Sequence, residues 1–283
     1  MEVTLAKSAG FCFGVKRAVD MVYQESEKPQ KVYTLGPIIH NEQVVADLEA
    51  KGVRVLKEDL SDLREGEEAT VIIRSHGISK QLYEALEKKG VTIVDATCPF
   101  VSKIHRIVQE QHQAGHQIVI VGNENHPEVE GINGWCDHAA TVIGTLDQAE
   151  KCTLDASRKV CIVSQTTFNY KKFKDIVDIF LKKSYDINVM NTICNATEER
   201  QTEASVIAGA SEAMIVIGGK HSSNTRKLYE ICSQECPNTH FIQTLDDLDL
   251  NAFRSIRSVG ITAGASTPNT IIKEVQSYVR SEQ

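Results

Sequence analysis

Cys12, Cys98 and Cys194 each stand just ahead of a segment with helical periodicity. Each is followed, 28 residues on, by a hydrogen-bonding side chain: positions 12 and 40, 98 and 126, and 194 and 222 carry His40, His126 and Ser222. A second polar loop follows at His76, Thr166 and Ser266, which lie 64, 68 and 72 residues after the respective cysteine. A fixed spacing of this kind marks an internal repeat, so the chain reads as three degenerate copies of one small unit.

The helix starts matter because the positive end of a helix favours a thiolate, the form of cysteine that binds metal. After Cys12, Val15, Ala18, Val19 and Val22 form an apolar stripe. After Cys98, Pro99 suits a first helical position and Val101, Ile104 and Val108 continue the pattern. After Cys194, Asn195 and Glu198 have the spacing of a capping box. One such cysteine is readily a small apolar packing residue; three in one register point to metal. Four protein ligands close a structural centre, whereas three leave a position for water or substrate. Zinc on three thiolates usually brings a compact C-x-x-C pair and a nearby Glu, and the sequence has no C-x-x-C. A [4Fe-4S] cluster with one iron lacking a cysteine ligand fits distant thiolates better. A zinc hydrolase of a phosphorylated metabolite, its metal on the same three thiolates, stays open as an alternative needing no reductant, and an iron–sulfur redox sensor as one needing no acid. Cys136, Cys152, Cys161, Cys232 and Cys236 fall outside the register, with Cys232 and Cys236 on one helix, and are expected to pack.

The loops supply donors. "GPIIHN", "RSHG" and "NHPE" carry His40, His76 and His126; "SQTT" carries Thr166 and Thr167; "KHSSN" carries Ser222, Ser223 and Asn224; "GAST" carries Ser266. Donors gathered at helix starts suit phosphate oxygens, and charge-assisted bonds from imidazoles contribute about 1.5–3 kcal/mol each. Glu128, in "HPEVEG", is the acid that an anion site should otherwise exclude, and so the candidate for proton transfer. By contrast, His105, His112 and His116 lie on a polar helix without strand-end context and are expected to be solvated or structural.

Elements that place these residues are legible as alternating patterns. Six β-branched apolar runs end in the polar motifs: "VYTLGPIIHN", "ATVIIRSHG", "QIVIVGNENHPE", "KVCIVSQTT", "AMIVIGGKHSSN" and "SVGITAGASTP". Helix-period segments such as "EQVVADLEAKG" and "PNTIIKEVQSYV" follow, and "VRVL" and "VTIV" are further strands. Repeated β-loop-α predicts an α/β protein with mainly parallel sheets and ligands at the carboxyl ends of the strands. The expected division is 13–97, 98–193 and 194–283, three related α/β domains, with residues 1–12 near a central site.

The chain has 283 residues, 41% hydrophobic and 24% charged, as in ordinary globular proteins. A net charge of -7 argues against general nucleic-acid binding. Lacking a secretory h-region or a membrane-length apolar stretch, and carrying eight cysteines, the sequence points to no membrane and to a reducing cytoplasm.

"GFCFGVKRAV", "GPIIHN", "RSHG", "DATCP", "HPEVEG", "SQTT", "CNATEERQ", "GGKHSSNT" and "TAGASTP" together resemble the motif series of the 4-hydroxy-3-methylbut-2-enyl diphosphate reductases, the last enzymes of the methylerythritol phosphate route to isoprene units. The resemblance runs from residue 8 to about residue 276. It implies an α/β trefoil of pseudo-threefold arrangement around a [4Fe-4S] cluster bound by Cys12, Cys98 and Cys194. It implies that His40, His76, His126, Ser222, Ser223, Asn224 and Ser266 hold a diphosphate, with Thr166 and Thr167 also on the substrate, that Glu128 is the proton source with His126 beside it in the catalytic set, and that Thr166 relays or positions. Reductive removal of a hydroxyl would then give isopentenyl and dimethylallyl diphosphates, with a low-potential donor protein, ferredoxin or flavodoxin, as partner.

Overall fold

The computed structural model describes residues 1–249, 253 and 256–281. Strands and helices alternate along the chain. The first stretch is β1 (Glu2–Leu5), α1 (Phe13–Ser26), β2 (Lys31–Leu35), α2 (Glu42–Ala50), β3 (Arg54–Leu56), β4 (Ala69–Ile73), α3 (Lys80–Lys89) and β5 (Thr92–Asp95). Then come α4 (Pro99–Gln113), β6 (Gln117–Val121), α5 (Pro127–Gly134), β7 (Thr141–Ile143), α6 (Leu146–Lys151), β8 (Val160–Ser164), α7 (Tyr170–Lys182) and β9 (Ile187–Val189). The last stretch holds α8 (Asn195–Gly209), β10 (Ala213–Ile217), α9 (Ser223–Glu235), β11 (Thr239–Ile242), β12 (Ser258–Ala263) and α10 (Asn269–Ser281). No helix among the described residues is long and apolar enough to cross a membrane.

Three four-stranded sheets result, with every recorded pairing parallel. Two share one order, β3-β2-β4-β5 and β7-β6-β8-β9. The third, β11-β10-β12-β1, keeps it by using the chain's first strand where the others use their fourth. Register makes the repeat functional. Leu35 pairs with Ile73, Val121 with Ser164 and Ile217 with Ala263, so the two central strands of each sheet end level. The loops leaving those ends are the ones that carry the polar motifs.

The strands read as unbroken apolar runs because both faces of a sheet are covered. Val119, Val121 and Ile162 face Phe173, Ile176 and Phe180 of α7, while Ile118, Ile120 and Val163 face Ile104 and Val108 of α4 and Val129 and Ile132 of α5. The same alternation sets Ile215, Ile217 and Ile261 against α10 and Met214 and Val216 against α8 and α9. Fully burying one such side chain contributes about 1.5–3 kcal/mol, and truncating Phe180, which is fully buried, to Ala is expected to cost about 3–5 kcal/mol.

By inter-residue contact the chain divides into two compact units, one of residues 1–16, 39–45 and 195–283, the other of 17–38 and 46–194. The sheet ending in β1 belongs to the first, and the other two sheets to the second.

Four strands have no counterpart among the sequence patterns: β1, β7, β9 and β11. All are edge strands of three or four residues and largely half-exposed, so they carry no long apolar run. Two local expectations are corrected. α8 begins at Asn195, one residue earlier than a capping box on Asn195 and Glu198 requires, so Cys194 itself precedes the helix. Cys236 stands just beyond α9 rather than within it, its N–H bonded to Cys232 O at 2.7 Å.

Candidate active site

The candidate residues fall in both units, and each set is built by its own unit. In the two-sheet unit, His126 caps α5: its backbone is extended (φ -90, ψ 132), and its Nδ1 accepts the Glu128 N–H at 3.1 Å. A ring that accepts at Nδ1 is neutral and carries its proton on Nε2, leaving Nε2–H as the donor. The cap thus fixes the tautomer that can present a hydrogen to an anion. His76 lies in the loop after β4, with its ring edge-on to His126, centroids 5.5 Å apart and planes at 78°. The turn that bears it closes from Gly77 N to Arg74 O at 3.0 Å. Gly77 has a φ of +72, and a Cβ there would stand 2.5 Å from His105 Cε1, so no other residue fits.

Glu128 is 2% exposed. Its Oε1 accepts the Thr166 N–H at 2.5 Å and its Oε2 the Thr166 hydroxyl at 2.8 Å. The Thr166 carbonyl accepts the Cys194 N–H at 3.0 Å. A buried carboxyl so held can pass a proton through Thr166, because a hydroxyl both donates and accepts. Thr167 is engaged differently: its Oγ1 accepts from Gln165 Nε2 at 3.0 Å, and Gln165 Oε1 accepts the Asn123 N–H at 3.1 Å. Fully buried Gln165 ties the two strand-end loops together. Sequence patterns missed it, although it is the second residue of the "SQTT" motif, between Ser164 and Thr166.

In the other unit, α9 presents its N-terminus through "SSN". Ser222 is the cap, its Oγ accepting from Thr225 N at 3.3 Å, with Ser223 and Asn224 in the first turn. Asn224 is 6% exposed, and its Nδ2 is buried with no hydrogen-bond partner. An orphaned donor at a helix start is the place for an acceptor that arrives with a ligand. Ser266, 7% exposed, donates to His40 O at 3.4 Å. Gly219 leaves room for that carbonyl, since a Cβ on it would approach to 2.6 Å. His40 and Ser266 are thereby joined to the Gly219 loop that leads into α9.

The three register cysteines share one setting. Cys98 is the residue before α4, with Pro99 first in the helix, and its side chain makes no cap bond. Its loop is fixed by the Cys98 N–H to Ser75 O at 3.0 Å, and by Arg17, whose guanidinium donates to Thr97 O and Asp95 O at 3.1 and 3.3 Å. Cys12 and Cys194 immediately precede α1 and α8. All three are half-buried. Cys136, Cys161, Cys232 and Cys236 are buried, and burial pushes the Cys136 and Cys161 thiols up to about 11 and that of Cys232 to about 12. Burial also raises Cys152. Thiolate donors are therefore costly at Cys136, Cys152, Cys161 and Cys232.

His105 is buried, 6% exposed, and stacked on Trp135 at 5.3 Å. Burial lowers it to about 4, so it is a neutral core residue rather than a solvated one.

Parallel sheets whose level central strands lead into a capped imidazole and a buried acid, and whose edge strands β1, β5 and β9 lead into helix-starting thiols, place the chain among the α/β enzymes that work through strand-end loops. A family model described as LytB protein matches residues 3–280, and the chain belongs to the LytB family. It is 50% identical over 284 residues to the 4-hydroxy-3-methylbut-2-enyl diphosphate reductase of Caldanaerobacter subterraneus subsp. tengcongensis, covering 99% of this chain and 97% of the relative. Among solved structures it is similar to the E-1-hydroxy-2-methyl-but-2-enyl-4-diphosphate reductase from Plasmodium falciparum, with TM-score 0.92, 30% identity, and coverage of 99% of this chain and 87% of that one. A second solved structure, of (E)-4-hydroxy-3-methyl-but-2-enyl diphosphate reductase, the terminal enzyme of the non-mevalonate pathway, matches with TM-score 0.71 and 44% identity over 99% of this chain and 100% of the other.

Proposed function

We propose that the chain is a 4-hydroxy-3-methylbut-2-enyl diphosphate reductase. It adds two electrons and two protons to the allylic diphosphate, expels the hydroxyl as water, and yields isopentenyl and dimethylallyl diphosphates. The two relatives in solved structures and the curated relative act, by their names, on this substrate.

The donor set fits an iron–sulfur cofactor: sulfur ligands are what such clusters take, and the three cysteines at helix starts are half-buried while four of the other thiols are held protonated by burial. Cys12, Cys98 and Cys194 would hold a [4Fe-4S] cluster. When bound, it supplies low-potential electrons and one iron without a cysteine ligand. A ferredoxin or flavodoxin would renew those electrons, and the eight free cysteines fit work in the cytoplasm.

The substrate's diphosphate takes hydrogen bonds from the neutral His126 through Nε2–H, from His40 and His76, and from Ser222, Ser223, Asn224 and Ser266, with Thr167 positioning the Gln165 brace. Glu128 supplies a proton through the Thr166 hydroxyl. The arrangement that carries this reading is Glu128 bonded twice to Thr166, with the Thr166 carbonyl on Cys194 N–H. It sets an acid one residue away from a cysteine loop. The three sheets of common order further support three domains, 13–97, 98–193 and 194–283, with residues 1–12 contributing β1 to the last.

Anaerobic iron and sulfide analysis, coupled to turnover of the allylic diphosphate with a chemical reductant, tests the proposal. Coloured protein with four irons per chain and reductant-dependent product is the expected result. A colourless zinc protein that hydrolyses a phosphate ester without reductant would overturn it.

A further inference from the structure

Between β1 and α1 the chain has neither strand nor helix, and the Cys12 residue it delivers is flanked by Phe13, which is 66% exposed. Apolar contacts hold the start of this loop, where Ala6 is buried and Ala9 packs against the core that contains Ile261 and Ile272, but the polar backbone groups nearer Cys12 must be satisfied otherwise. The Ala6 N–H donates to Ile261 O at 2.8 Å and the Ala9 N–H to Ala6 O at 3.2 Å, and further bonds come from α8. Glu203 Oε1 accepts the Lys7 N–H at 2.8 Å, and Oε2 accepts the Ser8 N–H at 2.9 Å and the Ser8 hydroxyl at 2.5 Å. One turn earlier, Arg200 is 3% exposed and donates Nη2 to Gly10 O at 3.0 Å and Nη1 to Ala263 O at 2.7 Å. Residues three apart on a helix share a face, so both side chains grip the loop from one side.

We infer that Arg200 and Glu203 are positioning residues for Cys12, an assignment that rests on reading Cys12 as a cluster ligand. A buried guanidinium carries a desolvation cost that an apolar residue of like volume would avoid. What it achieves here is geometric: a planar fork fixes the distance between the end of β12 and Gly10, two residues before the thiol. The Cys12 N–H to Ala265 O bond is long, 3.3 Å, so the local backbone alone holds the residue loosely. Glu203 fixes the other end of the same short loop. The pair places the Cys12 sulfur before any metal arrives, as supporting residues do around metal ligands generally.

The test uses the full chain after removal of metal, with N-ethylmaleimide labelling of each cysteine followed by mass spectrometry. Glu203→Gln is the mild variant, since Glu203 lies near the surface and Gln turns an NH2 toward a donor. Arg200→Lys is the second, because an ammonium cannot bridge both carbonyls. Labelling of Cys12 should rise about tenfold, the factor that corresponds to about 1.4 kcal/mol, with Cys98 and Cys194 unchanged and the melting temperature of Glu203→Gln preserved. In reconstituted protein, iron release to a chelator should quicken in step. Unchanged Cys12 labelling in Glu203→Gln overturns the inference, and so does an equal rise at all three cysteines, which would mean general loosening. Cys12→Ser is run alongside: full iron retention in that variant sinks the ligand assignment itself, whatever the labelling shows.

Discussion

Glu128 and Thr166 meet twice, through the Thr166 N–H at 2.5 Å and its hydroxyl at 2.8 Å, although 38 residues separate them in the chain. The two contacts have separable consequences. The N–H bond holds the carboxyl in place, and the hydroxyl bond offers a path for a proton. Glu128→Gln keeps size and hydrogen bonding but carries no acidic proton, so turnover per iron should fall by about 10²–10⁴-fold, the usual worth of general acid catalysis. Substrate affinity and iron content should hold. Thr166→Ser, which retains the hydroxyl, should stay much closer to the parent than Thr166→Val. Steady-state rates with a low-potential chemical reductant decide the matter, and near-parental turnover in Glu128→Gln would remove the residue from the mechanism.

Cysteine replacements should divide into two groups. Ser at Cys12, Cys98 or Cys194 is expected to lower iron content and visible absorbance severely. Ser at Cys136, Cys161, Cys232 or Cys236 should leave both in place, with stability losses of about 1–3 kcal/mol where the hydroxyl is buried without a partner. Absorbance spectra and chemical denaturation on the same samples make the comparison. A cluster lost in Cys232→Ser and kept in Cys194→Ser would reverse the assignment.

Asn224 allows a sharper test of the anion site. Its buried Nδ2 has no partner in the protein, so Asn224→Ala removes no hydrogen bond from that nitrogen and should leave the melting temperature level or higher. The same change should weaken binding of inorganic pyrophosphate by about 1.5–3 kcal/mol, the contribution of a hydrogen bond to a charged acceptor. Titration calorimetry measures the second and scanning calorimetry the first. Lost stability with unaltered pyrophosphate affinity would make Asn224 a structural residue only.

His105 gives a pH dependence away from the chemistry. Burial drops it from 6.5 to about 4, so between those values the unfolded chain takes up a proton that the folded chain refuses. Stability is fully present above pH 6.5 and is lost as the pH falls toward 4, by about 3 kcal/mol at most. Urea denaturation at pH 7 and pH 5 should show this component in the parent and not in His105→Gln. Identical pH slopes in the two proteins would count against it.

Much of the architecture is written locally. The central strands are runs such as "ATVII" and "AMIVI", almost wholly apolar because both faces are covered, and each is followed by a helix pattern with its own cap. The 28-residue spacing reflects a real recurrence, because one strand order recurs in three sheets and the polar loops leave level strand ends. Cys98 could be placed at a helix start from Pro99 alone.

Tertiary structure decided the remainder. Edge strands β1, β7, β9 and β11 exist because a neighbour offers free N–H and C=O groups, and their own half-exposed residues say little. That β1 completes the third sheet, where the other two use a fourth strand, follows from pairing Glu2 with Ser258 across the length of the chain. The neutral tautomer of His126 depends on the Glu128 N–H that it caps. The grip of Thr166 on Glu128, and of Arg200 and Glu203 on the loop before Cys12, joins residues 38 to 196 positions apart. Periodicity and spacing report which face of an element is buried and where the element stops. Partners brought together by folding leave no such local trace, because a hydrogen bond constrains two atoms in space and not the distance between them along the chain.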